Sequence, residues 1–494
     1  MTARAAYLAI DLGTARVKVG LVTPDGELLG LARSSQALDV DAATGRAEQD
    51  ANAWWTGLQA ATRAAVAAAG RAEIGAEIRA IAVAGHGPTA TPVDAVGRPT
   101  GPAITWLDSR AGAERAQLED STGLRGWALG VLPAALHVER SGAAAPQTRW
   151  YLNSWEALAL RLSGRPATTL VPGQPFPDER LIGAAGLDPT RIAPTVPVGS
   201  SLGGLTPTVA AELGLPAGIP VVAGLVDAFA SFHGAGMVEP GDAIDVGGAA
   251  GGFGVYWDRP VSAAGGFTTP APLPGLWSVG GAMAATGSAL DWLAGVLGER
   301  ASVDELIAAA ARVTPGADGL VFLPYLAGER SPLWDPDARG VLAGLTLAHG
   351  RAEIARAVLE AAALAIRHVA TPILAAGVTV DAMRVCGGPA HSAVWNRIKA
   401  DTTGFEILVP RVLETTVVGA AIVAAVGVGD QPDVPTAIRA MTSIGERLQP
   451  DPRTREVYDA VYEAYAALWP SVAPVLRSAA REPALISVGS VAGT

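Results

Sequence analysis

The sequence predicts an α/β protein of two large domains, and three observations carry that reading. The chain has 494 residues, more than a single hydrophobic core accommodates. Short β-rich runs ending at Gly or Asp alternate with Ala-rich helical stretches along its length. A strand–turn–strand unit spans residues 8–22, and a second, similar in organisation though hardly in letters, spans 243–258. The repetition predicts a duplicated domain with one glycine-bearing hairpin in each half and a boundary near residue 237. Residues 1–237 and 238–480 are the expected domains, and 481–494, which lack periodicity, an expected loose tail.

The elements follow in order. Tyr7 to Ile10 is an apolar strand ending at Asp11, Val17 to Val22 is a second strand, and Pro24-Asp25-Gly26 turns the chain into a third, all antiparallel. Asn52 to Ala69 reads as a helix carrying Trp54 and Trp55, and Ile78 to Ala84 as a buried strand ending in Gly85-His86-Gly87. Residues 146–164 read as a helix whose Trp150, Tyr151 and Trp155 belong to core, and the Pro- and Gly-rich 165–179 as a loop near the interdomain cleft. After Asp227 a small-residue helix runs to Met237. The second hairpin, a strand and helix, a loop-rich segment feeding a long helix, and a strand broken at Gly387-Gly388 come next. A final small-residue helix holds Gly419 and Ala420, which allow close packing.

Composition excludes several function classes. The net charge of −11, from 36 basic and 47 acidic residues, gives no attraction to nucleic acid or anionic membrane. Gly, Pro, Asp or Arg interrupts every apolar run before membrane-spanning length, and the N-terminal run leads straight into Asp11 without a cleavage site, so a cytoplasmic protein is expected. Cys386 is the single cysteine, which leaves neither an intrachain disulfide nor a cysteine zinc site, and its setting predicts a buried strand position. The only lysines, Lys18 and Lys399, sit in no Walker-type loop.

Polar groups collect at strand ends. Asp227, isolated among Gly, Ala and Val, suits a general base acting on a hydroxyl, or equally a buried helix cap. The Gly247–Gly252 turn lets backbone N–H groups approach phosphate oxygens, or is a plain hairpin. In the first turn Gly13 and Thr14 offer donors, Lys18 a cation and Asp11 a carboxylate for a hydrated metal, the alternative being a hairpin with a charged edge. Gly85, Gly87 and Ala90 match a dinucleotide spacing, but Pro88 and the β-forming residues beyond deny the helix that such a site needs. His86 suits a substrate hydroxyl or a satisfied strand-end position. Trp106, Asp108 and Arg110 alternate as a wall, an acceptor and a donor for a polyhydroxylated ligand, with Asp108 equally suited to capping a helix. Gly387 and Gly388 open a strand end to a nucleotide, or make an ordinary strand-to-helix connection.

Taken together, DLGTARVK, AEQDANAWW, AITWLDSR, AGLVDAFASFHGAG, FLPYLAGERSPLWDPDARGVLAGL and CGGPAHSAVW occur in an order that resembles the FGGY family of carbohydrate kinases over nearly the whole chain. The most distinctive match continues through Gly340, Leu342, Gly344, Leu345, Glu353, Ile354, Ala357, Val358, Leu359 and Glu360. The resemblance implies two ribonuclease H-like domains, of the actin and hexokinase ATPase type, around a central cleft that holds sugar and MgATP. It implies Asp227 as base, Asp11 as the Mg²⁺-positioning carboxylate, and His86, Trp106, Asp108 and Arg110 along the sugar. Gly13, Thr14, Lys18, Gly247, Gly248, Gly387, Gly388 and Ser392 would face the nucleotide. It also implies a homodimer.

The wording is most similar to the xylulokinase-like branch, which points to a ketopentose such as xylulose, with gluconate or a polyol as alternatives. Four positions depart from the family pattern. Ala249 and Ala250 stand where most relatives carry hydroxyls, Pro389 where Gly is usual, and Gly85 where xylulokinases usually carry Met. Ala249, Ala250 and Pro389 leave a sugar-binding pseudokinase as the competing expectation.

Overall fold

A computed structural model describes residues 4–480 apart from 42, 72–75, 172, 174–178 and 299–301. The expected tail and part of the 165–179 loop lie outside the described residues.

Two sheets of one plan organise the chain. The first has six strands, β1 (Arg4–Leu12), β2 (Arg16–Val22), β3 (Leu28–Ser35), β4 (Ala76–Gly85), β5 (Ser201–Gly204) and β6 (Pro220–Val226), in the order β5-β6-β4-β1-β2-β3. β1, β2 and β3 form an antiparallel meander, while β4 runs parallel to β1 and β6 parallel to β4. The second sheet has seven, β7 (Ala243–Val246), β8 (Gly251–Trp257), β9 (Phe267–Pro270), β10 (Trp277–Met283), β11 (Ala382–Cys386), β12 (Glu406–Pro410) and β13 (Ile444–Leu448), ordered β9-β10-β8-β7-β11-β12-β13. Here too an antiparallel hairpin leads on to strands parallel to its first member. The repeat is also written in letters, against expectation, since Ala9-Ile10-Asp11-Leu12-Gly13 recurs as Ala243-Ile244-Asp245-Val246-Gly247.

Alternation along β1 divides the first core in two. Leu8, Ile10 and Leu12 pack on one face with Trp54 and Leu58 of α1 (Ala51–Arg71), while Tyr7 and Ala9 face the other. On that second face β4 presents only Ala80, Ala82 and Ala84. Side chains this small let α6 (Thr415–Gly427), which comes from the second half of the chain, lie directly on the first sheet. It also crosses α2 (Asp227–Gly234) at two glycines. A Cβ on Gly419 would stand 1.9 Å from the Ala230 carbonyl oxygen, and one on Gly234 1.8 Å from that of Thr415. The close packing expected of Gly419 is therefore a helix crossing that ties the two halves together.

One element differs from the sequence reading. Trp150–Leu152 is a strand paired with Thr91–Val93, and the helix begins only at Ser154. Asn153 stops it earlier, because its N–H donates to the Glu156 carboxylate at 2.8 Å in the manner of a helix cap. Cys386 is a buried strand residue, as expected. Among the described residues one helix, α4 (Arg351–Ala375), is long and apolar enough to cross a membrane, and 72% of its apolar window is buried within the protein.

Candidate active site

Three parallel strands of the first sheet end in register, with Leu12 and Val226 both opposite Gly85. Asp11, the Gly13-Thr14 turn, His86 and Asp227 therefore gather along the carboxyl edge, where open α/β sheets receive ligands. In the second sheet Val246 lies opposite Cys386, which brings Gly247 and Gly387 together at the equivalent edge. Gly387 has a φ of 76°, and a Cβ on it would stand 1.7 Å from the Gly247 carbonyl oxygen, so the approach of the two turns requires glycine.

Asp227 is the first residue of α2, and its Oδ1 accepts the Ala228 N–H at 2.7 Å. Water still reaches the residue, yet protein surrounds it on most sides. Desolvation, with the nearby charge of Asp11 second, pushes its pKa up to about 7. A carboxyl group that exchanges its proton near neutrality suits general-base work.

Asp11, 5% exposed, also has its pKa raised by burial, with Lys18 pulling the other way. Lys18 lies across the hairpin, 3.3 Å from Asp11 and 2.9 Å from Glu414. Burial works against the Lys18 charge, but its two carboxylate partners outweigh this and raise its pKa. Arg33 also bonds Glu414. Gly13 closes the turn by donating its N–H to the Arg16 carbonyl at 3.0 Å. Thr14 is held by Trp106, whose Nε1 donates to its hydroxyl at 3.1 Å, and by Gln49, whose Nε2 donates to its carbonyl at 2.7 Å.

Asp108 and Arg110 pair with each other. The Asp108 carboxylate accepts from Arg110 Nη2 at 2.7 Å and from the N–H groups of Ala47 and Arg110, while Arg110 also pairs with Glu48. These two residues brace the Trp106 segment, with both Asp108 carboxylate oxygens and the Nε and Nη2 groups of Arg110 engaged within the protein. His86 is 1% exposed, in edge contact with Trp54, with Nδ1 2.9 Å from the Thr89 hydroxyl and Nε2 buried without a partner among the described residues. Desolvation lowers its pKa to about 4, so the ring is neutral at ordinary pH.

At the second turn the Gly248 carbonyl accepts the N–H of Gly287, the first residue of α3 (Gly287–Leu297), at 3.0 Å. The Ala249 carbonyl accepts the N–H groups of Thr286 and Ser288 at 3.1 and 3.0 Å, and the Ser288 hydroxyl at 2.9 Å. A hydroxyl thus lies against the turn whose own alanines lack one. No described residue lies within 4 Å of the Cβ position of Gly388, while Ser392 caps α5 (Ala393–Thr403) by accepting the Trp395 N–H at 3.2 Å.

Sequence reasoning passed over Glu414, Gln49, Glu329 and Arg330. Glu414 opens the small-residue helix, Gln49 lies within AEQD, and Glu329-Arg330 lies within AGERSP, so each sat inside a segment already singled out. Among the described residues no cluster of three or more His, Cys, Asp or Glu side chains is arranged for a metal ion. Asp11 and Asp227 are hard oxygen donors, and a hydrated magnesium ion needs only one or two carboxylates beside its waters and a phosphate. The residues present therefore fit that ion.

Comparison with known proteins matches the chain to the family model for the N-terminal domain of FGGY carbohydrate kinases over residues 6–127 and to that for the C-terminal domain over 246–428. It is 32% identical over 499 residues to a xylulose kinase of Klebsiella pneumoniae, covering 95% of this chain and 100% of the relative. It is 32% identical over 260 residues to a gluconokinase of Bacillus subtilis, half of each chain. The crystal structure of xylulose kinase from Rhodospirillum rubrum superposes with a TM-score of 0.79 at 31% identity, covering 96% of this chain and 100% of that one. Its two-sheet, two-domain architecture is that of the actin- and hexokinase-like ATPases. On this evidence the chain belongs to the FGGY family of carbohydrate kinases and is an enzyme, a sugar phosphotransferase.

Proposed function

We propose that the protein transfers the terminal phosphoryl group of ATP to a hydroxyl of a ketopentose such as xylulose, with Asp227 as general base. The observation that carries this reading is the Asp227 carboxyl, held at the carboxyl edge of the first sheet with its pKa near 7 beside Asp11. The ketopentose rests on the full-length likeness to xylulose kinases, whereas the gluconokinase likeness spans half the chain.

In this mechanism Asp227 accepts the proton of the attacking hydroxyl, and the oxygen's electron pair forms the new bond to phosphorus while the bond to the departing ADP oxygen breaks. Asp11 would hold a hydrated magnesium ion, which when bound would supply charge neutralisation to the phosphates. Thr14 and the N–H groups of the two glycine turns orient phosphate oxygens, and Trp106 forms a wall of the sugar site while holding Thr14. His86 remains neutral and fixes the end of β4 behind the sugar. We assign residues 1–237 to the sugar-facing domain and 238–480 to the nucleotide-facing domain, bridged by α6. Cleft closure excludes water that would otherwise take the phosphoryl group, and the cytoplasm, where ATP is held, is the compartment.

The test is ATP consumption by the purified protein over a panel of ketopentoses, aldonates and polyols, with Asp227→Ala as control. The reading expects turnover with a ketopentose, lost in the variant. Turnover confined to an aldonate or a polyol would reassign the substrate, and sugar-induced thermal stabilisation without turnover would point to a binding protein.

A further inference from the structure

The site holds more carboxylates than free cations. Lys18 is shared by Asp11 and Glu414, Arg110 by Asp108 and Glu48, and Lys399 is bound to Asp245 at 2.5 Å. A nucleotide bearing several negative charges must nevertheless enter between Asp11 and Asp227 on one side and the Gly247-Gly248 turn on the other. Arg330 is the exception among these cations, since no carboxylate lies within ion-pair distance of it among the described residues.

Its location is fixed from both domains. The Ser331 N–H donates to the Ala282 carbonyl at 2.9 Å, the Glu329 carboxylate accepts the Ala284 N–H at 2.8 Å, and Arg330 Nη2 donates to the Met283 carbonyl. These bonds pin the segment to the end of β10, immediately before Thr286–Ser288, which clasp the second glycine turn. On the other side the Arg330 guanidinium lies 5.9 Å from the centre of the Trp106 ring, whose Nε1 holds Thr14 of the first turn. Arg330 therefore stands between the two phosphate turns with Nε and Nη1 uncommitted among the described residues. Burial lowers its pKa against the opposing pull of the neighbouring Glu329 carboxylate.

We propose that Arg330 is a catalytic residue that binds the terminal phosphate of the nucleotide and stabilises the phosphoryl group during transfer to the sugar hydroxyl. The inference rests on the kinase reading above. The phosphorus–oxygen bond to ADP breaks with its electron pair, the bond to the sugar oxygen forms, and the proton passes to Asp227, while Arg330 loses and gains no proton. Its planar fork, already held at one nitrogen by Met283, presents the other N–H groups to phosphate oxygens.

The experiment compares wild type with Arg330→Gln and Arg330→Lys, each checked by thermal melting. It measures kcat, both KM values, and the binding of ADP and of the non-hydrolysable analogue adenylyl imidodiphosphate. Loss of a cation at a transferring phosphoryl group predicts that Arg330→Gln lowers kcat roughly 10²- to 10³-fold, with partial recovery in Arg330→Lys. Binding of the triphosphate analogue weakens about tenfold more than binding of ADP, because ADP lacks the group contacted. Equal weakening of both nucleotides, a kcat within about threefold of wild type, or an effect confined to the KM of an acidic sugar would overturn the assignment. Should wild type show no sugar-dependent turnover, the kinase reading fails by itself, and the comparison of the two nucleotides still decides whether Arg330 meets the terminal phosphate.

Discussion

Lys18 stands 3.3 Å from Asp11 and 2.9 Å from Glu414, so one lysine joins the first hairpin to the residue that opens α6 in the second half of the chain. Glu414 is largely buried and its pKa is held low, since Lys18 and Arg33 outweigh the opposing effect of burial. Glu414→Ala removes the carboxylate partner of Arg33 and leaves Lys18 with Asp11 alone among the described residues. A partly buried network of this kind predicts a loss of about 1–3 kcal/mol in urea unfolding, and a loss below about 0.5 kcal/mol would reduce it to a surface contact.

The raised pKa of Asp227 fixes a pH dependence. Its active form is deprotonated, so kcat/KM should climb through an apparent pKa near 7 and level off above it. A pH profile with its acid limb near 4 would contradict that environment. Stability moves in the opposite sense. The folded carboxyl keeps its proton up to about pH 7 whereas an unfolded aspartate loses it near 3.8, so the stability it contributes is present at low pH and lost as pH rises through 7. Asp227→Asn should therefore raise Tm by roughly 2–5 °C at pH 8, with the gain gone by about pH 4.

The chain's two lysines take equivalent parts. Lys399 meets Asp245 at 2.5 Å with both side chains buried, just as Lys18 meets Asp11, and Asp245 is the counterpart of Asp11 in the repeated segment. The second pair lies deeper. Lys399→Met leaves a buried carboxylate uncompensated and should cost about 3–5 kcal/mol, while adding Asp245→Asn should restore most of that. Equal losses in the single and double variants, measured by denaturant unfolding, would show that the pair is not the source.

The helix crossing at Gly234 and Gly419 has no room for a methyl group. Gly419→Ala places its Cβ 1.9 Å from a backbone oxygen and should destabilise by more than about 3 kcal/mol or prevent soluble expression. Gly70→Ala is the matched control, because no described residue lies within 4 Å of the new Cβ in α1, and it should be neutral or stabilise by up to about 1 kcal/mol.

Much of this was legible in the chain. The opening meander followed from apolar alternation and the Pro24-Asp25-Gly26 turn, and the two-domain plan from the second hairpin. The helix expected over 146–164 failed at its start because Trp150 and Tyr151 fit either period, and the Asn153 cap with Glu156 decided the boundary. Glu414 and Arg330 escaped because their meaning depends on residues hundreds of positions away, Lys18 and Trp106, which only the tertiary fold brings to them. The mutual engagement of Asp108 and Arg110 escaped for a related reason, since Glu48 and the Ala47 N–H complete it from another strand. Their alternation in sequence gave no hint of it.

The most direct test of the account is ADP formation from ATP with and without D-xylulose, measured side by side in wild type and Asp227→Asn. Sugar-dependent turnover in wild type, falling roughly 10²- to 10⁴-fold in the variant with sugar binding retained, is the predicted result. Turnover that survives in Asp227→Asn would contradict the assignment of the base on which the account rests.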